Sequence, residues 1–170
     1  MEHPTIYLRT WQVDDAAALY NICLDTKLRA SGFPFFDSID ECLAAINVWK
    51  EAPNNKAVIE ISSHAVVGII SLGDMNRYNG YYEMEYAISA NKRNKGYAKQ
   101  AVNKIIDYGF TELKAEVIAA WVRSHNQASA HVLEKCGFSF EGRLRKHARD
   151  KSDTLCYSIT KEDWLNDKVQ

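Results

Sequence analysis

Near the middle of this 170-residue chain, a strand pattern passes into a helix pattern through Ile88-Ser89-Ala90-Asn91-Lys92-Arg93-Asn94-Lys95-Gly96-Tyr97-Ala98. Backbone N–H groups at the start of a helix lack intrahelical acceptors, and the helix dipole adds partial positive charge there. A glycine lets a ligand approach such a backbone closely. The stretch therefore favours a site for an anion such as a diphosphate. The structural alternative is an ordinary basic turn whose geometry is eased by Gly96.

Basic side chains within this loop could strengthen anion binding. Lys92, Arg93 and Lys95 can add charge-assisted hydrogen bonds to phosphate oxygens, and Ala98 is too small to block them. The loop lacks the Gly-Lys-Ser/Thr of a P-loop and the three spaced glycines of a dinucleotide fingerprint. It therefore predicts a phosphate site of a different kind.

Apolar periodicity on both sides of the loop predicts an α/β (α+β) fold in a single domain, residues 1–170. Strands are predicted at 6–11, 57–62, 65–72, 81–89, 117–122, 138–144 and 154–159. Helices are predicted at 16–24, 38–50, 97–113, 126–135 and 161–166. Ser38-Ile39-Asp40-Glu41 has the pattern of a capping box, and Gly137 is placed as a helix C-cap. This order of elements describes a mixed sheet with helices on both faces.

Composition limits the classes of partner. The 21 basic and 22 acidic side chains give a net charge of −1, which provides no global attraction to nucleic acid or to an anionic membrane. The first residues lack the pattern of a signal peptide, and no apolar run is long enough to span a bilayer. Neither the four cysteines nor the five histidines have metal-ligand spacing. We expect a soluble cytoplasmic protein with reduced thiols and no metal site.

Two motifs in order resemble those of the GNAT superfamily of acetyl-CoA-dependent N-acetyltransferases. The signature Arg/Gln-x-x-Gly-x-Gly/Ala stands here as Arg93-Asn94-Lys95-Gly96-Tyr97-Ala98. The block from Asn126 to Gly142 is similar to the Asn-x-x-Ser…Glu-Lys-x-Gly-Phe-x-x-Glu-Gly pattern of the Rim-like branch, which acetylates ribosomal-protein N-termini or polyamines. The opening strand and the closing segment also resemble that branch, so the similarity covers nearly the whole chain.

The resemblance implies a GNAT fold, whose mostly antiparallel sheet is splayed between the strands at 81–89 and 117–122. Acetyl-CoA would place its pantetheine in that split and its diphosphate on the amides of Arg93, Asn94, Lys95, Gly96, Tyr97 and Ala98. By the same resemblance, Ile88 would bond pantetheine through its backbone, and Asn126 and Ser129 would line the thioester end. Asn126 as a helix N-cap and Ser129 as a locally bonded hydroxyl are compatible alternatives.

Acetyl transfer to an amine needs a base that removes the amine's proton. Glu83 and Glu85 lie two apart in a strand and project from one face, so both are candidate bases. The alternative is that they are solvated partners of lysines. Many relatives carry, at the position of Leu133 in this chain, a tyrosine that acts as the general acid. Because this chain lacks that tyrosine, Ser129 becomes the candidate that contacts the departing thiolate. Tyr157 is a weaker candidate.

The expected activity is N-acetylation of a primary amine by direct attack in a ternary complex, without a covalent enzyme intermediate. The acceptor stays open between a protein N-terminus, a polyamine and another small amine, and residues 26–38 and 74–82 would shape its pocket. Phe33, Phe35 and Phe36 either fill the core or form one wall of that pocket. Alternatives are a non-catalytic CoA-binding module, a longer-chain acyltransferase and a structural protein. A monomer or homodimer that binds neither nucleic acid nor membrane is expected.

Overall fold

The computed structural model describes residues 5–33, 35–75 and 79–168. These residues form seven strands and six α-helices. In chain order these are β1 (Ile6–Arg9), α1 (Ala16–Cys23), α2 (Thr26–Ala30), α3 (Ile39–Trp49), β2 (Asn55–Glu60), β3 (Val66–Asp74), β4 (Tyr81–Ile88), α4 (Tyr97–Thr111), β5 (Val117–Arg123), α5 (Gln127–Lys135), β6 (Ser139–Leu144), β7 (Thr154–Thr160) and α6 (Lys161–Asp167). Short 3-10 turns occur at Val13–Asp15 and Ala90–Lys92.

The seven strands form one mixed sheet in the order β1-β2-β3-β4-β5-β7-β6. The pairs β1/β2, β2/β3, β5/β7 and β6/β7 are antiparallel, whereas β4 and β5 are parallel. The parallel register ends at Glu83↔Ala119, and the next β4 residues, Met84 and Glu85, have no register partner on β5. The predicted α/β fold, with a mostly antiparallel sheet splayed between two central strands, is confirmed.

The chain divides into two compact units. One comprises Met1–Ser71 with Tyr86–Lys104, and the other comprises Leu72–Glu85 with Ile105–Gln170. Below, "the first unit" and "the second unit" refer to these two sets of residues. That residues 1–170 form one N-acetyltransferase domain stays a prediction.

In the first unit, helices cover both faces of β2. Ala57 and Ile59 belong to a buried apolar cluster with residues of α1 and α3, among them Leu19, Ile22, Cys42 and Ile46. Glu60 points to the opposite face, because successive side chains of a strand alternate. There it accepts a hydrogen bond from Tyr97 of α4. The prediction of helices on both faces is therefore confirmed in this unit.

The segment 26–38, predicted to be a pocket loop, contains the short helix α2. The Asp25 carboxylate caps it by accepting from the amides of Lys27 at 2.9 Å and Leu28 at 3.4 Å. Five residues are too few to show an apolar period, so the pattern gave no sign of this helix. Of the aromatics that follow, Phe33 and Phe36 pack against the buried cluster.

Phe35 differs from its two neighbours. Its ring is 43% exposed and lies beneath the Arg29 guanidinium, 4.0 Å from the ring centroid. The sequence left open whether these aromatics fill the core or line a pocket. In the structure Phe33 and Phe36 pack against the core, whereas Phe35 lies at the surface.

In the second unit, α4 lies directly against the sheet at Gly109. A Cβ at this position would approach the Ile118 side chain of β5 to 2.8 Å and the Leu72 side chain of β3 to 2.9 Å. Contacts that short do not occur between ordinary side chains, so a Cβ at this position would require the ends of these two side chains to shift.

Helix ends follow the predicted caps with one difference. The Ser38 hydroxyl accepts from the amide of Glu41 at 3.1 Å, but the Glu41 carboxylate accepts from the amide of Asp37 rather than completing the capping box. Gly137 ends α5 with φ +85°, as predicted for a C-cap. None of the helices in the described residues is long and apolar enough to cross a bilayer.

Candidate active site

The loop between β4 and α4 is held onto the end of β2 by a buried carboxylate. Glu60 is only 6% exposed, and it accepts hydrogen bonds from Lys92 Nζ at 2.7 Å and from the hydroxyls of Ser63 and Tyr97, each at 2.5 Å. These donors, Lys92 foremost, lower the pKa of Glu60 to about 2. The bond to Glu60 raises the pKa of Tyr97. Glu60 is therefore ionised at neutral pH and fixes both loop side chains.

A second ion pair holds the next residue of the loop. The Arg93 guanidinium pairs with Asp25, and its Nε donates to the backbone carbonyl of Ile88 at 3.1 Å. Burial opposes ionisation of Asp25, but the amide of Lys27 and the Arg93 guanidinium prevail and lower its pKa. Arg93 thereby joins the end of β4 to the start of α2.

The loop presents backbone, rather than these two cations, at its exposed side. Asn94 and Gly96 have positive φ angles of 61° and 75° and are exposed. No described atom lies within 4 Å of a Cβ built on Gly96. The amide of Gln100 donates to the Gly96 carbonyl at 3.1 Å, so the amides of Tyr97 and Ala98 precede the first intrahelical bond. The space beside Gly96 is therefore open, next to first-turn amides that precede the first intrahelical bond.

Two other predicted cofactor contacts lie beside this backbone. Ile88 is buried at the end of β4, and its carbonyl accepts from Arg93. The neighbouring amide of Ser89 donates to the Val67 carbonyl at 2.9 Å, which fixes the chain where it leaves the strand. Lys95 is exposed and forms no ion pair with any described residue. The assignment of these residues to cofactor binding stays a prediction.

The two candidate bases lie in the second unit, on β4. Desolvation by surrounding protein raises the pKa of half-buried Glu83. Glu85 has more accessible surface, yet the protein atoms around it, and then the charge of Glu83, raise its pKa as well. Both shifts move a carboxylate toward the range in which it accepts a proton at neutral pH.

An exposed aromatic residue shares the sheet face of these carboxylates. Glu83 pairs with Ala119 in the parallel register, so the two side chains point to one face. Trp121 lies two residues beyond Ala119 on that face and is 46% exposed. The ring of His147 packs edge-on against it, with centroids 5.3 Å apart. No local sequence pattern connects this pair, because 26 positions of sequence separate the two residues.

The second motif places its first two polar residues at the start of α5. The Asn126 side chain caps the helix by accepting from the amide of half-buried Ser129 at 3.3 Å. Leu133, which replaces the tyrosine of many relatives, is fully buried. The capping role of Asn126 is thus present, and the cofactor roles of Asn126 and Ser129 stay predictions.

The two glutamates of the second motif have structural partners on β7. Glu134 accepts from the Tyr157 hydroxyl at 3.0 Å, and Glu141 accepts from the Ser158 hydroxyl at 2.5 Å. Burial, with Glu134 adding to it, raises the pKa of Tyr157. Tyr157 is 4% exposed, so its phenol serves to join α5 to β7.

The residues that sequence reasoning missed are mainly the acidic partners of the loop. Glu60 precedes Lys92 by 32 positions and Asp25 precedes Arg93 by 68. No local pattern connects residues so far apart. The predicted pocket segment 74–82 includes residues 76–78, which lie outside the described residues. Within the described part of the chain, no group of three or more metal-ligating side chains is arranged to hold a metal ion.

Residues 5–139 match the family described as the acetyltransferase (GNAT) domain. This chain belongs to that family. The resemblance found in the two motifs is thereby confirmed, and the matched residues form an acetyltransferase (GNAT) domain.

Curated relatives support the same branch. An uncharacterised N-acetyltransferase, p20 of Bacillus licheniformis, is 32% identical over 65% of this chain and 64% of its own length. A spermidine N(1)-acetyltransferase of Vibrio cholerae is 27% identical over 81% of this chain and 80% of its own. The putative ribosomal N-acetyltransferase YdaF of Bacillus subtilis is 28% identical over 98% and 96%. This chain thus spans less than two thirds of p20.

A solved structure extends the comparison to the fold. The acetyltransferase (GNAT family) of Bacillus anthracis superposes with a TM-score of 0.83 at 26% sequence identity. The superposition covers 95% of this chain and 98% of that one. The order of strands and helices is therefore that of a GNAT-family acetyltransferase.

Proposed function

We propose that this protein transfers the acetyl group of acetyl-CoA to a primary amine by direct attack of that amine. The observation that carries the proposal is the open backbone at Gly96, where first-turn amides of a 15-residue helix meet free space. A diphosphate matches such donors in charge and in geometry. Family membership supports the same activity for the whole chain as one domain.

The residues present fit the cofactor. Acetyl-CoA supplies an acetyl group activated as a thioester. The amides of residues 93–98 would hold its diphosphate, with exposed Lys95 adding positive charge. Lys92 and Arg93 instead position the loop, because their side chains are bonded to Glu60 and to Asp25. By family similarity, the backbone of Ile88 would bind pantetheine, and Asn126 and Ser129 would lie at the thioester end.

The carboxylates on β4 provide the proton transfer. An aliphatic amine is mostly protonated at neutral pH and cannot attack until it loses that proton. Glu83 or Glu85 would accept it, and the raised pKa of each brings it closer to the working pH. The hydroxyl of Ser129 is the proposed donor to the departing thiolate.

The proposed acceptor is an amine, and the names of two relatives indicate two different classes of amine. The Vibrio cholerae relative is named for spermidine, and the Bacillus subtilis relative is a putative ribosomal acetyltransferase. A polyamine and a protein N-terminus are therefore the first acceptors to test. The described cysteines form no disulfide with one another. A cytoplasmic location stays a prediction. A monomer or homodimer stays a prediction.

A thiol-release assay tests the proposal. Purified protein is mixed with acetyl-CoA and, in turn, spermidine, peptides with free N-termini and aminoglycosides, and free CoA is measured. We expect release that depends on both protein and amine. CoA binding without release from any amine would favour a non-catalytic module. Faster release from a longer acyl thioester would favour a longer-chain acyltransferase.

A further inference from the structure

The second unit carries a basic loop, residues 143–153, whose charge the proposed chemistry does not use. Its sequence contains five Lys or Arg residues and two acids. Both acids are bonded to other cations: Asp153 to Arg143 and Asp150 to Arg123, each at 2.5 Å. The cations that remain are exposed and form no ion pair within the described part of the chain: Arg145, Lys146, Arg149 and Lys151.

The basic loop has a defined backbone. The amide of Lys146 donates to Asp153 Oδ1 at 2.8 Å, and the amide of Ala148 donates to the Ser152 carbonyl at 3.1 Å. The amide of Ser124 donates to the Asp153 carbonyl at 2.9 Å, which joins the loop to the end of β5. The exposed cations therefore extend from a hydrogen-bonded turn, which lowers the entropy lost when they bind a ligand.

The basic loop lies at the sheet face that carries the candidate bases. His147 packs against Trp121, and Asp150 pairs with Arg123 farther along the same strand. Glu83 is level with Ala119, about 7 Å before Trp121 along that strand at 3.3 Å per residue. Along this face, carboxylates are followed by an exposed aromatic pair and then by unpaired cations.

This sequence of charges discriminates between the classes of amine. A polyamine is cationic along its whole length, so it is attracted to the carboxylates but repelled by the basic loop. In a polypeptide with acidic side chains near its N-terminus, the cationic amine is complementary to the carboxylates of Glu83 and Glu85. Its acidic side chains are complementary to the basic loop. An extended peptide advances about 3.3 Å per residue, so from about its third residue onward it passes Trp121.

We propose that the acceptor is the N-terminus of an acidic polypeptide segment, whose amine meets Glu83 and Glu85 while its carboxylates bind the basic loop. Trp121 and His147 would contact the intervening residues. This inference rests on the proposed acetyltransferase function and specifies its substrate.

The first test varies the peptide. Three peptides share their first two residues and differ only in the following positions, which are all glutamate, all serine or all lysine. We expect kcat/KM to be highest for the glutamate peptide, by about tenfold over serine at about 0.01 M salt. The advantage should disappear at about 1 M salt, where charges beyond about 3 Å are screened.

The second test varies the protein. Arg145→Glu/Arg149→Glu should reduce the ratio of kcat/KM for the glutamate and serine peptides from about tenfold to about one. The matched control, Lys50→Glu/Lys114→Glu, changes the same charge at exposed lysines outside the basic loop and should keep the wild-type ratio. Thermal melting of both variants confirms that they fold. If the loop variant does not fold, the salt dependence of the wild-type protein still decides the question.

Failure of the inference and failure of the proposed function give different results. No thiol release with any peptide or polyamine would overturn the function. Release that is fastest with spermidine, or that ignores the peptide's charge, would overturn only the inference. Binding of single-stranded RNA that is lost in Arg145→Glu/Arg149→Glu, together with indifference to peptide charge, would also overturn it and assign the loop to RNA.

Discussion

Two loops of this protein are rich in Lys and Arg, yet they use these residues differently. In the first unit, Lys92 and Arg93 are paired with the largely buried Glu60 and Asp25. In the basic loop of the second unit, Arg145, Lys146, Arg149 and Lys151 are exposed and unpaired with any described residue. The first loop therefore displays backbone amides beside the exposed cation Lys95, whereas the second displays a cluster of four charged side chains.

The difference shows that positive charge in a sequence does not by itself locate an anion site. A cation that is already bonded to a carboxylate adds little net positive potential for a bound anion. Its role is then to hold the loop in position. We expect substitutions in the loop of the first unit to change CoA affinity. Substitutions on the face of β4 and β5 should change turnover or acceptor choice.

The largest effect should come from Glu83→Gln/Glu85→Gln. Removing a general base lowers kcat by about a hundredfold or more, because the amine stays protonated. CoA affinity, measured by calorimetry, should not change. The control Glu162→Gln removes an exposed carboxylate of α6 and should keep full rate. A double variant with the wild-type rate at every pH would show that neither carboxylate is the base.

The same carboxylates predict the direction of the pH dependence. The base must be ionised, so kcat/KM should rise with pH through a pKa above the ordinary glutamate value, as the raised pKa values of Glu83 and Glu85 require. A profile over pH 4 to 9 with a small primary amine measures it. A rate already level at pH 5 would contradict the assignment.

Gly96→Val should weaken CoA binding by about thirtyfold. A β-branched residue is strained at φ +75°, and its side chain would fill the open space in front of the amides. Gly142→Val is the matched control, because its Cβ also meets no described atom within 4 Å. Equal CoA affinity of the two variants would place the diphosphate elsewhere.

The variant Asp25→Asn tests whether Asp25 positions the loop or only changes the net charge near the CoA diphosphate. The two roles predict changes of CoA affinity in opposite directions. Asparagine still caps α2, but it no longer neutralises Arg93. If only net charge mattered, losing an acid near the anion would strengthen CoA binding. Because the pair positions the loop, we expect binding about fivefold weaker, against no change for exposed Asp14→Asn. Tighter binding would contradict the positional role.

The last prediction concerns the stability of the fold at low pH. The folded-state pKa of Glu60 is lowered to about 2, so its contribution is complete above the ordinary glutamate pKa and is lost as pH falls toward 2. The difference in melting temperature between wild type and Glu60→Gln should be largest near pH 7 and vanish near pH 2. A difference that stays constant over this range would contradict the linkage.

Local elements of the fold could be predicted because local chemistry produces them. The helix predicted at 97–113 is observed at Tyr97–Thr111, and the strand predicted at 117–122 is observed at Val117–Arg123. The first strand was predicted to reach residue 11 but ends at Arg9. Trp11 instead lies in the buried cluster, with its indole N–H donating to Asn55 at 3.0 Å.

The candidate site was predictable in position but not in the roles of its side chains. The motif located the loop, and the positive φ of Gly96 agrees with the reason for a glycine there. The basic composition of the loop also suggested that the side chains of Lys92, Arg93 and Lys95 contact phosphate. The bonds of Lys92 and Arg93 to Glu60 and Asp25 become visible only when β2 and the start of α2 have folded next to the loop.

Apart from the short helix α2, the sequence by itself determined the order of elements, the caps at Ser38 and Gly137, and the family, since each depends on residues close together along the chain. Only the tertiary structure decided which charges are bonded and which are exposed. It also brought Trp121 and His147 into contact and placed Trp121 on the face of Glu83. Pairing and burial of charge are set by residues distant in sequence, and their energies depend on the surroundings that folding creates.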